Sequence, residues 1–315
     1  SDECGLMFPI IPANSATASG NPYGIFAYGG TGSGSRFSMS NLVSDTGVVG
    51  TDVTGVGEDR GQLGACEYGD DKGIFAYGYD NIQAYVSMSN LVSNTGVVAS
   101  DVTGVGTGRR GLGGAAYGGD KGIFAYGDND VVGPAYSWNG SNLVSNTGVI
   151  GTDVTGVGTG RSEVVACEYG GDKAIFGLGF AAGSPNAVVG MTNLVSNAGV
   201  VASDVSAVGT ARRSAAACGY GYTKGIFGYG SPYTAVTNLV SNTGVVGTDV
   251  TGVGTARSGA GATQYGDDKG IFAYGTADWV TFLSMSNLVS NTGVVGTDVT
   301  GVGTARNGPG ACSYG

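Results

Sequence analysis

The feature that most constrains this chain is a unit repeated six times with almost fixed internal spacing. An Ile-Phe pair places Phe26, Phe75, Phe124, Phe176, Phe227 and Phe272, and an Asn-Leu-Val motif places Leu42, Leu91, Leu143, Leu194, Leu239 and Leu288. Arg60, Arg109, Arg161, Arg212, Arg257 and Arg306 follow, then Tyr68, Tyr117, Tyr169, Tyr220, Tyr265 and Tyr314. Leu to Arg is always 18 residues, Arg to Tyr 8, and Tyr to the next Phe 7; only Phe to Leu varies, between 12 and 19. Every insertion is therefore confined to one segment of each unit.

Composition narrows what the unit can be. The 63 Gly among 315 residues disfavour helix, because a Gly inside a helix costs about 1 kcal/mol relative to Ala. Collagen would need Gly at every third position with abundant Pro, and only 7 Pro are present. A hydrophobic fraction of 41% with 17 Tyr argues for a packed core rather than a disordered chain. Each unit reads as four short strands: Gly-Ile-Phe-Ala-Tyr-Gly, Ser-Met-Ser-Asn-Leu-Val, Gly-Val-Val-Gly-Thr-Asp-Val and the small-residue run before Tyr-Gly. Ser-Asn-Thr-Gly and Gly-Asp-Asp-Lys supply turns.

Four strands in a unit of this length, repeated six times, predict an all-β fold, a six-bladed β-propeller of four-stranded antiparallel blades. A parallel β-helix is the alternative, with shorter rungs than these units need. The N-terminal strand around Tyr23–Phe26 and the C-terminal strand ending at Tyr314 should together close one blade, removing open sheet edges. This divides the chain into an N-terminal arm, 1–20, and a propeller, 21–315. In the arm, Cys4 and the apolar Leu6, Met7, Phe8, Ile10 and Ile11 are candidates for assembly with another subunit or for packing onto the propeller itself.

Arg, then small residues, then Lys-Gly-Ile-Phe-Ala-Tyr-Gly and a variable segment resemble a divergent kelch repeat. The double Gly of kelch repeats follows this strand only at Gly29-Gly30, and the late Trp is missing from every unit. More closely, K-G-I-F-x-Y-G…N-L-V-S-N-T-G-V-V…D-V-T-G-V-G-T-A-R resembles repeats of uncharacterised tailed-bacteriophage and marine viral proteins, across 22–315. The resemblance implies a propeller in a virion and carries no defined chemistry with it.

The absence of His removes Ser-His-Asp and Cys-His nucleophilic sites and the usual zinc ligand sets. The six Arg recur with equal spacing, as do Asp52, Asp101, Asp153, Asp204, Asp249 and Asp298. An active site breaks such symmetry, so these residues, with Asn of the Asn-Leu-Val motif, are expected to lock strands and turns, and no catalytic residue is expected. The net charge of −10 and only 14 basic residues, 11 of them at repeat positions, argue against nucleic acid as a partner. Arg36, Arg110 and Arg213 alone fall outside the repeat. No apolar run approaches 18 residues, so no membrane insertion is expected.

No cofactor is implied. Asp128 and Asp130 are the best of several weak Ca²⁺ candidates, since Asp-rich turns are usually only turns. Cys66, Cys167, Cys218 and Cys312 share a position with Ala115 and Thr263 and are expected to be reduced and buried. Cys4 is the one candidate for a bridge, to a neighbour or to Cys312.

Binding is where the repeats stop agreeing. The varying segments hold Tyr79, Tyr85, Tyr136, Trp138, Phe180, Tyr233, Trp279 and Phe282, on a fixed frame that should present them on one face. These eight are the expected ligand contacts, or alternatively strand extensions packed between blades. The expected function is a non-enzymatic structural or adhesive virion protein. Its partners would be a host surface glycan or protein at the loops and other virion or coat subunits at the arm, within a homo-oligomer, in a virion or extracellular setting. The alternatives are a self-assembling extracellular coat or filament protein, and a carboxylate-dependent glycan hydrolase or lyase with its acids in the axial mouth.

Overall fold

The computed structural model describes residues 20–32, 34–129, 137–183 and 186–315. The described residues form β-strands, bridges and turns and no helix. Six antiparallel three-stranded sheets carry the architecture, one per repeat. In each, a small-residue first strand pairs with the Ile-Phe strand in the middle, which pairs with the Asn-Leu-Val strand. One sheet, for example, is Gly64–Tyr68, Lys72–Ala76 and Ser89–Val92. The terminal strands share a sheet as expected: Tyr23–Ala27 lies between Gly310–Tyr314 and Ser40–Val43, in register from Tyr23↔Tyr314 to Ala27↔Gly310.

The expectation of four strands per sheet needs correction. The Gly-Val-Val-Gly-Thr-Asp-Val segment touches its neighbour only through isolated bridges such as Val43↔Val49 and Ser40↔Val53. Side chains are the reason. Asn41 Nδ2 donates to the Gly50 carbonyl (3.0 Å) and to Asp52 Oδ1 (2.9 Å), so the ladder between the two bridges is replaced by an amide side chain. The variable segment also has a structural reading: its longest version lets Lys121–Asp128 and Ser137–Val144 extend to eight residues, with a bulge between Ala125 and Gly127.

Consecutive first strands lie side by side from Gly64–Tyr68 through Gly113–Tyr117, Val165–Tyr169, Ala216–Tyr220 and Gly261–Tyr265 to Gly310–Tyr314, which packs against Gly64–Tyr68 again. Two series of backbone hydrogen bonds follow the same course. At the hairpin end, Gly69, Gly118, Gly170, Gly221, Gly266 and Gly315 donate to Asp120, Asp172, Thr223, Asp268, Pro22 and Asp71, at 2.7–3.0 Å. At the opposite end, where the variable segments start, Gln62 donates to Gly308, Gly308 to Gly259, Gly259 to Ser214 and Ser214 to Glu163. Val164 then donates to Gly111 and Gly111 to Gln62, which brings the series back to its first residue.

The interior between sheets is an interlock of Tyr, Phe and Arg. After five of the six middle strands the chain turns sharply at Tyr-Gly; Tyr28 has φ +64° and Gly29 φ +92°. A left-handed Tyr costs about 1–2 kcal/mol. Full burial of its ring offsets that cost by about 1.5–3 kcal/mol. The ring meets Phe75 of the next sheet edge-on at 5.4 Å between centroids, and four other Tyr–Phe pairs repeat the contact. The guanidinium of the Arg that leads into the next sheet then covers the Tyr face, at 4.1 Å for Arg161 over Tyr126 and for Arg306 over Tyr274.

Each such Arg is fully buried and is met mostly by neutral acceptors. Arg306 Nε donates to the Tyr28 carbonyl (2.7 Å), one terminal nitrogen to Asn41 Oδ1 (2.8 Å) and the other to the Thr304 carbonyl (3.1 Å). Asn41 passes the connection to Asp52, whose Oδ2 accepts from Thr304 Oγ1 at 2.6 Å. Gly303 stands beside this carboxylate because any Cβ there would strike Asp52 Oδ1. Burial works to raise the Asp52 pKa, but hydrogen bonds from Thr304 and Asn41 outweigh it and hold the carboxyl below the usual range. The segment entering each sheet is thus tied to its outer segment, last strand and middle strand at once, which is the locking role expected of these residues.

The four Cys are free and buried, as their shared position suggested. Each sulfur fills the space over a Gly of the next Lys-Gly-Ile-Phe strand; Cys66 Sγ lies where a Cβ of Gly122 would be, and Cys167 Sγ does the same at Gly225. The one strand with Ala instead, at Ala174, belongs to the sheet next to the one carrying Ala115 in place of Cys.

The fourth unit breaks the interlock, with buried Leu178 at the Tyr position. Leu178→Tyr should restore a ring between Phe227 and Arg212 and stabilise the fold by about 1 kcal/mol. Thermal unfolding of the variant checks this; a lower melting temperature with unchanged circular dichroism would contradict the assignment.

Candidate binding surface

Strand register sets where the variable segments emerge. Each begins after a middle strand, at the end where the first strand of the same sheet starts, as Ala76 opposite Gly64 illustrates. A cavity of about 170 Å³ lies at this end, and residues from the start of all six first strands line it. Trp279, from the variable segment of one unit, joins that lining. It also lines an adjoining cavity of about 110 Å³ together with Arg36, Tyr79 and Asn307. One aromatic side chain thus borders both hollows.

The Trp279 loop is braced from within. Asp278 Oδ1 accepts from the backbone of Val280 (3.1 Å) and Thr281 (2.5 Å), and Asp278 Oδ2 accepts from Thr281 Oγ1. Those same bonds hold the Asp278 carboxyl below the usual range, the Thr281 backbone first among them. Trp279 takes φ +65° and stays 57% exposed, with Val280 beside it 79% exposed. The loop after Tyr79 is built alike: Asp80 Oδ1 accepts from Ile82 N (3.0 Å) and Ala84 N (2.8 Å), and Ile82 is 85% exposed. In both loops a carboxylate fixes the backbone so that apolar side chains stand in water.

Most of the other expected contacts are engaged within the protein. The three Arg outside the repeat sit on aromatic rings of the variable segments. Arg36 lies 3.7 Å from the Tyr79 centroid, Arg110 stacks on Tyr79 and Tyr85 at 4.8 and 5.3 Å, and Arg213 lies 4.9 Å from Phe180. Trp138 rests at 4.4 Å on Arg109, whose position also covers Tyr77, so this Trp belongs with the repeated frame. Tyr233 meets Trp279 edge-on at 6.3 Å. Phe282 bridges Thr276 and packs under Gly32. Among the described expected contacts, Trp279 alone combines full loop presentation with a cavity wall, and Tyr233 packs against it. Tyr136, Cys4, Leu6, Met7, Phe8, Ile10 and Ile11 lie outside the described residues.

The Ca²⁺ candidate Asp128 is an ion-pair partner instead. Arg110 Nε and Nη2 reach its Oδ2 at 3.3 and 3.2 Å, and Tyr85 Oη at 3.4 Å, so a cation would have to displace a guanidinium. Asp130 lies outside the described residues. Asp70 and Asp267 adopt φ +68° and +67°, as turn residues do, and Asp71 and Asp268 pair with Lys72 and Lys269. Among the described residues no group of three or more Asp, Glu, Cys or His is arranged to hold a metal ion.

Sequence reasoning passed over Glu67 and Glu168, which line a third cavity, at the hairpin end. Their position reads Glu67, Ala116, Glu168, Gly219, Gln264 and Ser313 around the six units. Such variety inside an otherwise small-residue strand was the available signal. No protein-family model matches the chain, and no curated protein is similar to it in sequence.

The two Trp residues should answer differently to a soluble quencher. Acrylamide should quench Trp279 fluorescence strongly and Trp138 weakly, measured as Stern–Volmer slopes of Trp138→Phe and Trp279→Phe. Equal slopes would contradict the assignment of Trp138 to the frame.

Proposed function

We propose that the six sheets are the blades of a closed six-bladed β-propeller, and that the protein is a non-enzymatic binding component of a virion surface. The reading of closure is supported by the shared terminal sheet and by the two backbone series that return to their first units. The reading of function rests on one observation: Trp279, braced by Asp278 and backed by Tyr233, stands exposed over a cavity to which every repeat contributes.

A half-exposed indole over a shallow polar and apolar hollow suits the faces of sugar rings, which offer C–H groups to the ring and hydroxyls to its surroundings. Donors and acceptors are at hand in Gln62 and Asn307 on the same cavity wall. A host surface glycan is therefore the proposed ligand. The likeness of the repeats to those of tailed-bacteriophage and marine viral proteins supports the virion setting.

Glycan-array binding of the wild type, followed by titration of the best ligand, tests this reading. Trp279→Ala should weaken binding at least tenfold, while Trp138→Phe should leave it within about twofold. Equal binding by Trp279→Ala and wild type would overturn it.

A further inference from the structure

The cavity at the hairpin end has a chemistry that the loop face lacks. It opens at the hairpin end of the first strands, measures about 470 Å³, and is bounded by Glu67, Asp70, Asp120 and Glu168 with no Lys or Arg in its wall. Two of these carboxylates have partners. Asp120 pairs with Lys121 and accepts from Asn146 Nδ2 at 3.0 Å. Glu67 Oε1 accepts from Ser313 N (2.9 Å) and Ser313 Oγ (2.8 Å).

Glu168 differs: among the described residues no hydrogen-bond donor reaches its carboxyl, and the residue is half-buried in the cavity wall. In the series of first strands Glu67 and Glu168 flank Ala116, whose methyl leaves the room between them unfilled. On the other side of Glu168, Gln264 fills the place that a side chain of Gly219 would take. Two carboxylates thus border one gap, the first held by Ser313 and the second bare.

We propose that this cavity binds an organic amine, with a primary ammonium group seated over Ala116 between Glu67 and Glu168. An ammonium carries N–H donors that the two carboxylates can accept. Two protein carboxylates alone are a poor cage for a divalent metal, whereas the exposed Tyr222 in the wall gives an alkyl chain an apolar surface. Asp70, also in the wall, gives a second ammonium of the same ligand a partner, so diamines and polyamines fit better than monoamines.

Proton linkage gives the site a signature. The charged groups acting on Glu168 are Glu67 and Asp172, and the neighbouring Cys167 thiol is itself held neutral by burial. Burial first, then the charges of Glu67 and Asp172, push Glu168 up to about 8. At pH 7 the empty site therefore holds a protonated Glu168, and an ammonium seated beside it favours the carboxylate. Binding should release close to one proton per site; the ammonium keeps its own.

Isothermal titration calorimetry of the whole chain with spermidine at pH 7, in phosphate and in Tris at matched ionic strength, tests the proposal. The wild type should bind saturably with one site, and the two buffers should differ in heat by nearly one proton. E168Q should fold, since Glu168 is already neutral in the empty site, and should bind at least tenfold more weakly with no buffer difference. E67Q should also bind more weakly. Absence of saturable binding, equal binding by E168Q, or equal competition by Mg²⁺ at matched ionic strength would each overturn the proposal.

Discussion

The buried Arg of each repeat is the interaction on which the rest depends. A guanidinium without water around it needs acceptors on every side. At Arg109, Arg161, Arg212 and Arg306 the fold supplies one to each nitrogen, whereas Arg60 lacks one at Nε and Arg257 at Nε and Nη2. In the sheet that joins the termini, Arg306 joins Tyr28, Asn41 and Thr304, and through Asn41 it holds Asp52. Its flat face meanwhile rests on Tyr274 of the preceding sheet. One side chain therefore fixes both the internal order of a sheet and its position against a neighbour. Burial lowers the pKa of this Arg from its ordinary value, yet nearby Tyr274 and Asp52 favour the charged form. Unlike an exposed ion pair, this arrangement is little affected by salt.

Rigidity of that frame is what allows the loops to differ. The strained Tyr-Gly turns, the Cys or Ala packed over Gly, and the Asp–Thr contacts use fixed residues, so insertions are tolerated only between Phe and Leu. The two loop tips at Ile82 and Trp279 show the consequence: each carries its own Asp brace and exposes apolar side chains without disturbing the sheet below. At the other end of the first strands, variation takes a different form. There a single inward position changes identity without any change in length, and it places Glu67 and Glu168 in a cavity wall.

How much of this was legible in the sequence follows from where each partner lies. The strand order, the shared terminal sheet and the locking role of Arg, Asn and Asp came from spacing, because these partners recur at constant separations. The fourth strand did not form, since the Asn side chain that supplants its ladder looks in sequence like any polar strand residue. Cys, Ala and Thr at one position were readable as a small buried site. Its coupling to Gly122 or Ala174 was not, because that contact joins different repeats. The same limit applied to the aromatic residues of the loops. Arg110 lies next to Arg109 in sequence, yet it takes Tyr79 and Tyr85 from the preceding sheet, while Trp279 stays exposed.

Removal of the last strand tests most directly whether the six sheets hold one another in the closed ring proposed above. A chain ending at Pro309 lacks Gly310–Tyr314, the partner of Tyr23–Ala27 and the neighbour of Gly64–Tyr68. Differential scanning calorimetry of this chain beside the full one decides the matter. A closed ring predicts that the single cooperative transition of the full chain is lost as a whole. An open stack of repeats would keep its transition at nearly the same temperature, with the unfolding enthalpy reduced by about one sixth, and that result would contradict the account.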